Sequence, residues 1–90
     1  MSRVALIGCG LWGRNILRVL VSAGATVTVV DPDDSRRNDA AVGGATNAFA
    51  SLDSGPPVDG FIVATPATTH ADVITDVFKF GLPVFVEKPF

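Results

Sequence analysis

Gly8-Cys9-Gly10-Leu11-Trp12-Gly13 follows directly on the apolar run Val4-Ala5-Leu6-Ile7 and leads into a stretch of helical periodicity. The spacing of its glycines has a mechanical reading. Gly8 lets the chain leave a strand in a tight turn, Gly10 lets backbone come close to a pyrophosphate, and Gly13 lets the following helix lie against the sheet. The first amides of that helix then face an anion that the helix dipole also favours. A glycine-rich strand-to-helix turn that binds nothing has the same local pattern. Asp31 adds to the binding reading, because it lies 18 residues beyond Gly13 at the end of a second apolar run, where an acidic side chain would accept hydrogen bonds from an adenosine ribose.

Working outward, the apolar run before the turn reads as a strand over Arg3 to Ile7, of the kind covered on both faces. After the turn, Trp12, Ile16, Leu17, Leu20 and Val21 recur at helical spacing, with Arg14, Asn15, Arg18 and Ser22 on the other side. Gly24 closes that helix as a left-handed cap. Ala25 to Val30, rich in β-branched residues, reads as a second strand that stops at Asp31-Pro32. Asp31 is open to a plainer reading, as the aspartate that begins a turn with Pro32 and Asp33. A short helix is expected over Ser35 to Val42, ended by Gly43-Gly44, with Arg36 and Arg37 read mainly as its solvated face. Ala45 to Ala48 is expected to be a brief edge strand and Phe49 to Leu52 a helical turn. Phe61 to Ala64 reads as a buried strand stopped by Thr65-Pro66. A helix capped by Thr68 or Thr69 follows, with Val73, Ile74, Val77 and Phe78 inward. Pro83 to Val86 is the last expected strand, followed by Glu87-Lys88-Pro89-Phe90.

Strands alternating with helices, joined by right-handed crossovers, give a Rossmann-type doubly wound parallel sheet of order 3-2-1-4-5. The whole chain, residues 1–90, reads as one dinucleotide-binding domain. At 48% hydrophobic and 18% charged residues the composition is globular. A net charge of −2 leaves no basic footprint for nucleic acid or an anionic membrane. The single cysteine, Cys9, forms no internal disulfide and reads as a small residue at a variable place in the turn. The four-residue apolar run behind Arg3 is too short for a signal sequence or a membrane span. A cytoplasmic setting is therefore expected, and no metal site.

Three ordered segments together resemble one family. Gly8-Cys9-Gly10-Leu11-Trp12-Gly13-Arg14-Asn15, Ala64-Thr65-Pro66 with Thr69-His70-Ala71, and Val86-Glu87-Lys88-Pro89 are similar to the cofactor domain of the Gfo/Idh/MocA oxidoreductases. The resemblance implies a nicotinamide-dependent dehydrogenase moving hydride between the cofactor and a hydroxyl of a sugar, polyol or sugar nucleotide. Tryptophan with the glycine and asparagine after it leans toward the sugar-nucleotide 3-dehydrogenases. By position, Gly8, Gly10, Leu11, Trp12 and Gly13 would meet the pyrophosphate and Asp31 the ribose. Thr65, Pro66, Thr69 and His70 would line the nicotinamide side. Glu87 and Lys88 would contact the nicotinamide ribose, and Pro89 would turn Lys88 into the site. Lys88 would also reach the substrate hydroxyl as the catalytic residue. An ammonium near the oxidised cofactor's charge, partly desolvated, has its pKa lowered toward acid-base use. Without the resemblance, Lys88 is a solvated lysine near a chain end and His70 a polar residue of a helix's first turn.

Arg36 and Arg37 lie nearby, and a nearby arginine is how such folds accept NADP, but NAD is the expected cofactor, since Asp31 holds the decisive position and would repel a 2′-phosphate. Members of the family carry a second domain that binds substrate. This chain is expected to stop short of it, to be incomplete at the carboxyl end of the sheet, to lack turnover on its own, and to self-associate as a homo-oligomer. The rival expectation is a non-catalytic nucleotide-binding or interaction module. Flavin binding or a Rossmann methyltransferase would share the glycine turn without accounting for Glu87-Lys88-Pro89.

Overall fold

The apolar run before the glycine turn forms β1 (Arg3–Ile7), and the turn delivers the chain into α1 (Leu11–Ser22). The computed structural model describes residues 3–8, 10–51, 57–64 and 81–86. The side chains of Leu11, Trp12 and Val86 lie outside that description. The remaining elements are β2 (Thr26–Val30), α2 (Asp34–Val42), β3 (Asn47–Phe49), β4 (Gly60–Val63) and β5 (Val84–Val86). All the strand pairings are parallel, and the sheet order is β3-β2-β1-β4-β5, as the alternation of elements predicts.

The sheet carries a core on each face because its strands are apolar at successive positions, not only at alternate ones. On one face Leu6, Val27 and Val29 pack with Leu17 of α1 and Ala40 of α2. On the other, Ala5, Ile7, Val30, Phe61 and Val63 form a second cluster, joined by Val58, Leu82 and Val84. Leu6, Val27, Val29 and Val63 have no solvent exposure, each burial contributing about 1.5–3 kcal/mol. The centre of the sheet is therefore the rigid part. By contrast α2, DSRRNDAAV, buries only Ala40. Its start depends on the Asp33 side chain, which accepts from the Arg36 amide at 3.1 Å, a cap of roughly 1 kcal/mol.

Several boundaries differ from expectation for identifiable reasons. Asp33 takes the cap, so α2 begins at Asp34, one residue before the expected Ser35. Phe49, expected to open a helical turn, is the last residue of β3 and pairs with Val30. Its carbonyl accepts the Asp31 amide at 2.9 Å, a tertiary pairing that overrides local propensity. Gly24, at φ +86° just past the Ala23 cap, ends α1 in the left-handed conformation expected of it. The expected helix after Thr68 or Thr69 lies outside the described residues.

At the amino ends of the strands, Asp59 clamps β1 to the lead-in of β4. Its carboxylate accepts from the Arg3 amide at 2.9 Å and from Arg3 Nη2 at 3.0 Å, while its own amide donates to the Arg3 carbonyl at 2.7 Å. The hydrogen bonds from Arg3 hold the Asp59 carboxyl below the usual carboxylate range, and the same contact raises Arg3.

Candidate functional site

Past their last paired residues the strands remain tied together at their carboxyl ends. The Gly8 amide donates to the Val30 carbonyl at 2.8 Å and the Ala64 amide to the Ile7 carbonyl at 2.8 Å. These bonds bring the exits of β1, β2 and β4 to one edge. The chain runs from β1 outward through β2 to β3 and then crosses to β4 on the other side of β1. Such a reversal of strand order is where open α/β sheets take ligands.

The glycine turn occupies that reversal. Gly8 has φ +91°, in the region that costs a side-chain-bearing residue about 1–2 kcal/mol. A Cβ on Gly13 would lie 2.3 Å from the Gly8 carbonyl oxygen and 3.8 Å from Ala64 Cβ. The first turn of α1 is thus pressed against the exits of β1 and β4, as the glycine spacing predicts. Gly10 is the N-cap of α1, with no side-chain cap bond and no acidic residue in the first turn. The start of the helix therefore keeps its positive end turned toward the site. Among the described residues, the nearest atom an added Cβ at Gly10 would meet is the Arg36 guanidinium, 3.7 Å away. That neighbour is a flexible side-chain end, so backbone is open to a close-approaching group there. The glycine set fits a dinucleotide's pyrophosphate.

Asp31 sits beside this turn and is 2% exposed. The turn-opening reading is observed. Its Oδ1 accepts the Asp33 amide at 2.9 Å, which is the turn-opening role, and its Oδ2 faces Arg36 Nη1 at 3.9 Å. The carboxylate is therefore fixed in direction before any ribose reaches it.

The arginines correct the sequence reading. Arg36 does not lie on a purely solvated face, because its guanidinium spans from Asp31 to the space over Gly10. Arg37 turns back as well: its Nη1 donates to the Asp31 carbonyl at 2.7 Å, and its guanidinium pairs with Asp34. The available signal was position. Arg36 is in the first turn of a helix that starts three residues after Asp31, so a long side chain there reaches back over the strand exit.

Of the other residues expected at the site, Thr65, Pro66, Thr69, His70, Glu87, Lys88 and Pro89 lie outside the described residues, as does Cys9. Leu11 and Trp12 are described as the first two backbone positions of α1. β4 ends at Val63 and β5 at Val86, two residues before Thr65 and one before Glu87 in the sequence. Among the described residues no group of three His, Cys, Asp or Glu side chains is placed to hold a metal ion.

A parallel sheet with this order, a three-glycine turn at its reversal and an acidic residue at the end of the second strand define a dinucleotide-binding Rossmann domain. Residues 2–90 match the Gfo/Idh/MocA family, described as an oxidoreductase family with an NAD-binding Rossmann fold, and the chain belongs to it. It is 37% identical over 93 residues to an inositol 2-dehydrogenase of Leifsonia xyli subsp. xyli, covering 97% of this chain and 27% of that protein. It is 36% identical over 92 residues to the rhizopine catabolism protein MocA of Rhizobium meliloti, covering 97% of this chain and 29% of that protein. Among solved structures it is similar to the UDP-N-acetylglucosamine 3-dehydrogenase GnnA of Acidithiobacillus ferrooxidans. The TM-score is 0.83 and the identity 30%, over 99% of this chain and 30% of that one. The chain thus spans less than a third of the length of these relatives.

Proposed function

We propose that this chain is the cofactor half of an NAD-dependent dehydrogenase that oxidises a ring hydroxyl of a polyol, sugar or sugar nucleotide. The observation that carries the reading is the juxtaposition of a buried, oriented Asp31 carboxylate with a glycine turn in which Gly13 has no room for a side chain. The names of the relatives, inositol 2-dehydrogenase and UDP-N-acetylglucosamine 3-dehydrogenase, support the substrate class. Hydride acceptance is the chemistry that NAD supplies when bound. In this reading Gly8, Gly10, Leu11, Trp12 and Gly13 receive the pyrophosphate through backbone. Asp31 accepts the adenosine ribose hydroxyls, and Thr65, Pro66, Thr69 and His70 border the nicotinamide. Glu87 and Lys88 hold the nicotinamide ribose, with Pro89 setting the direction of Lys88. As the carbinol C–H leaves as hydride, neutral Lys88 takes the hydroxyl proton and a carbonyl remains.

A cytoplasmic setting and a homo-oligomeric assembly belong to the same proposal. Phe85, 70% exposed on β5, an outermost strand of the sheet among the described residues, supports the second. No helix among the described residues is long and apolar enough to cross a membrane.

The test is Lys88→Ala, made at the matching lysine of a full-length relative. Turnover should fall by about 100-fold or more, as for loss of a general acid-base group, while NAD affinity changes by less than about threefold. Equal losses in turnover and NAD affinity would make the lysine a cofactor anchor only, contrary to the proposal.

A further inference from the structure

We infer that Arg37 is a positioning residue for the ribose site: by holding the Asp31 carbonyl it fixes the backbone from which the Asp31 carboxylate meets the adenosine 2′-hydroxyl. This rests on the reading of Asp31 as the ribose-binding acid. Asp31 stands one residue past the last pairing of β2, where Val30 meets Ile7 and Phe49. Pro32 after it has no amide with which to tie the chain down. A carboxylate on such an exit would swing with its peptide, whereas selection of a hydroxyl needs the acceptor held to within about 0.5 Å. Three contacts supply that hold. The Asp31 amide donates to the Phe49 carbonyl at 2.9 Å, Oδ1 accepts the Asp33 amide at 2.9 Å, and the Asp31 carbonyl accepts from Arg37 Nη1 at 2.7 Å. The first two are made with backbone, and the third with a side chain six residues further along the chain.

The contacts close into a ring. The Asp33 amide meets the Asp31 carboxylate, the Asp33 carbonyl accepts the Arg37 amide at 3.1 Å, and the Arg37 guanidinium returns to the Asp31 carbonyl. The ring therefore includes both the carboxylate and the peptide that carries it, and opening it at Arg37 loosens both. The side chain of Arg37 is 21% exposed, against 52% for Arg36, on a helix that buries only Ala40. Covering a guanidinium is costly unless its donors are met. Here one nitrogen meets the carbonyl while the other pairs with Asp34, which the planar fork allows a single side chain to do. Asp34 is 87% exposed, so that pair adds little stability of its own; its effect is to aim the fork. The Arg36 contact with Asp31, at 3.9 Å, is longer than a hydrogen bond and holds the carboxylate less closely.

Calorimetric titration with NAD+ and with the NAD+ analogue lacking the adenosine 2′-hydroxyl tests this, with circular dichroism on every variant. The parent chain should bind NAD+ about tenfold more tightly than the analogue, as for loss of a hydrogen bond to a charged acceptor. Arg37→Met keeps the apolar stem and removes the donors. Its ratio should fall to about threefold or less, carried by weaker NAD+ binding, with the analogue bound nearly as by the parent. Arg37→Lys, with one ammonium in place of two donor nitrogens, should give a ratio between those two. Equal weakening of both ligands in Arg37→Met would make Arg37 a merely structural residue, and that result or an unchanged ratio would overturn the proposal. Should Arg37→Met lose its helical circular dichroism, Arg37→Lys decides, and a ratio equal to the parent's would overturn it. A parent chain that binds the two ligands alike, or binds neither, would overturn the reading of Asp31 and the proposal together.

Discussion

Gly13→Ala is the substitution whose consequence the geometry constrains most tightly. The new Cβ would lie 2.3 Å from the Gly8 carbonyl oxygen and 3.1 Å from its carbon, against an ordinary C···O approach of about 3.3 Å. Relief requires a displacement of about 1 Å by that same comparison, and neither partner is loose. Gly8 is anchored one peptide before that carbonyl, where its amide donates to the Val30 carbonyl at 2.8 Å. The helix is held by Leu17, which is 2% exposed in the core. Overpacking of this kind costs about 1–3 kcal/mol, and replacing glycine by alanine within a helix returns up to about 1 kcal/mol. A net loss of about 0–2 kcal/mol, centred near 1 kcal/mol, follows from those two terms. In urea a loss of about 1 kcal/mol lowers the unfolding midpoint by about 1 M, at a slope near 1 kcal/mol per molar. The displaced turn should also weaken NAD+ binding by more than about tenfold. Gly10→Ala is the contrast, because among the described residues its Cβ meets only a flexible guanidinium at 3.7 Å. Its stability should stay within about 0.5 kcal/mol of the parent's, as for an unstrained surface change. A Gly13→Ala chain as stable as the parent, with NAD+ affinity unchanged, would refute the close packing of turn and helix.

The remaining predictions address other parts of the molecule. Because Arg3 depresses the Asp59 carboxyl in the folded chain, the clamp stabilises above the ordinary aspartate range. It is lost as pH falls through the folded value, below about pH 4. Asp59→Asn should therefore narrow the difference in urea midpoint between pH 7 and pH 3, and an unchanged difference would show that the clamp contributes nothing. If the exposed Phe85 on β5 mediates self-association, sedimentation should show a concentration-dependent oligomer that Phe85→Lys reduces to monomer. A parent chain that stays monomeric at high concentration would contradict it.

The parallel sheet was legible because its strands are buried on both faces, so Val4 to Ile7 stands out as an unbroken apolar run and Thr26 to Val30 as an unbroken β-branched one between glycine and proline punctuation. Phe49 was misread because a three-residue strand has almost no pattern of its own. Pairing with Thr28 to Val30 decides its state. The start of α2 was read one residue late, at Ser35, because Asp33, Asp34 and Ser35 are all good caps, and only the fold selects Asp33. At the site, glycine spacing predicted the tight turn, and the position of Asp31 at a strand exit followed from Pro32. Arg36 and Arg37 were noted as arginines of the kind that accept NADP but read mainly as a solvated face, because two charges in a polar helix match one. Their return over Asp31 depends on tertiary direction, which spacing does not encode.

The central claim is that the turn holding Gly10, with Asp31 beside it, binds NAD. Gly10→Val tests it most directly, since a branched side chain there would fill the space of the pyrophosphate while meeting, among the described residues, the far end of Arg36. Calorimetric titration with NAD+ should give saturable binding for the parent chain. For the Gly10→Val chain it should give none, with the helical circular dichroism retained. A folded Gly10→Val chain that binds NAD+ with the parent's affinity would contradict the account.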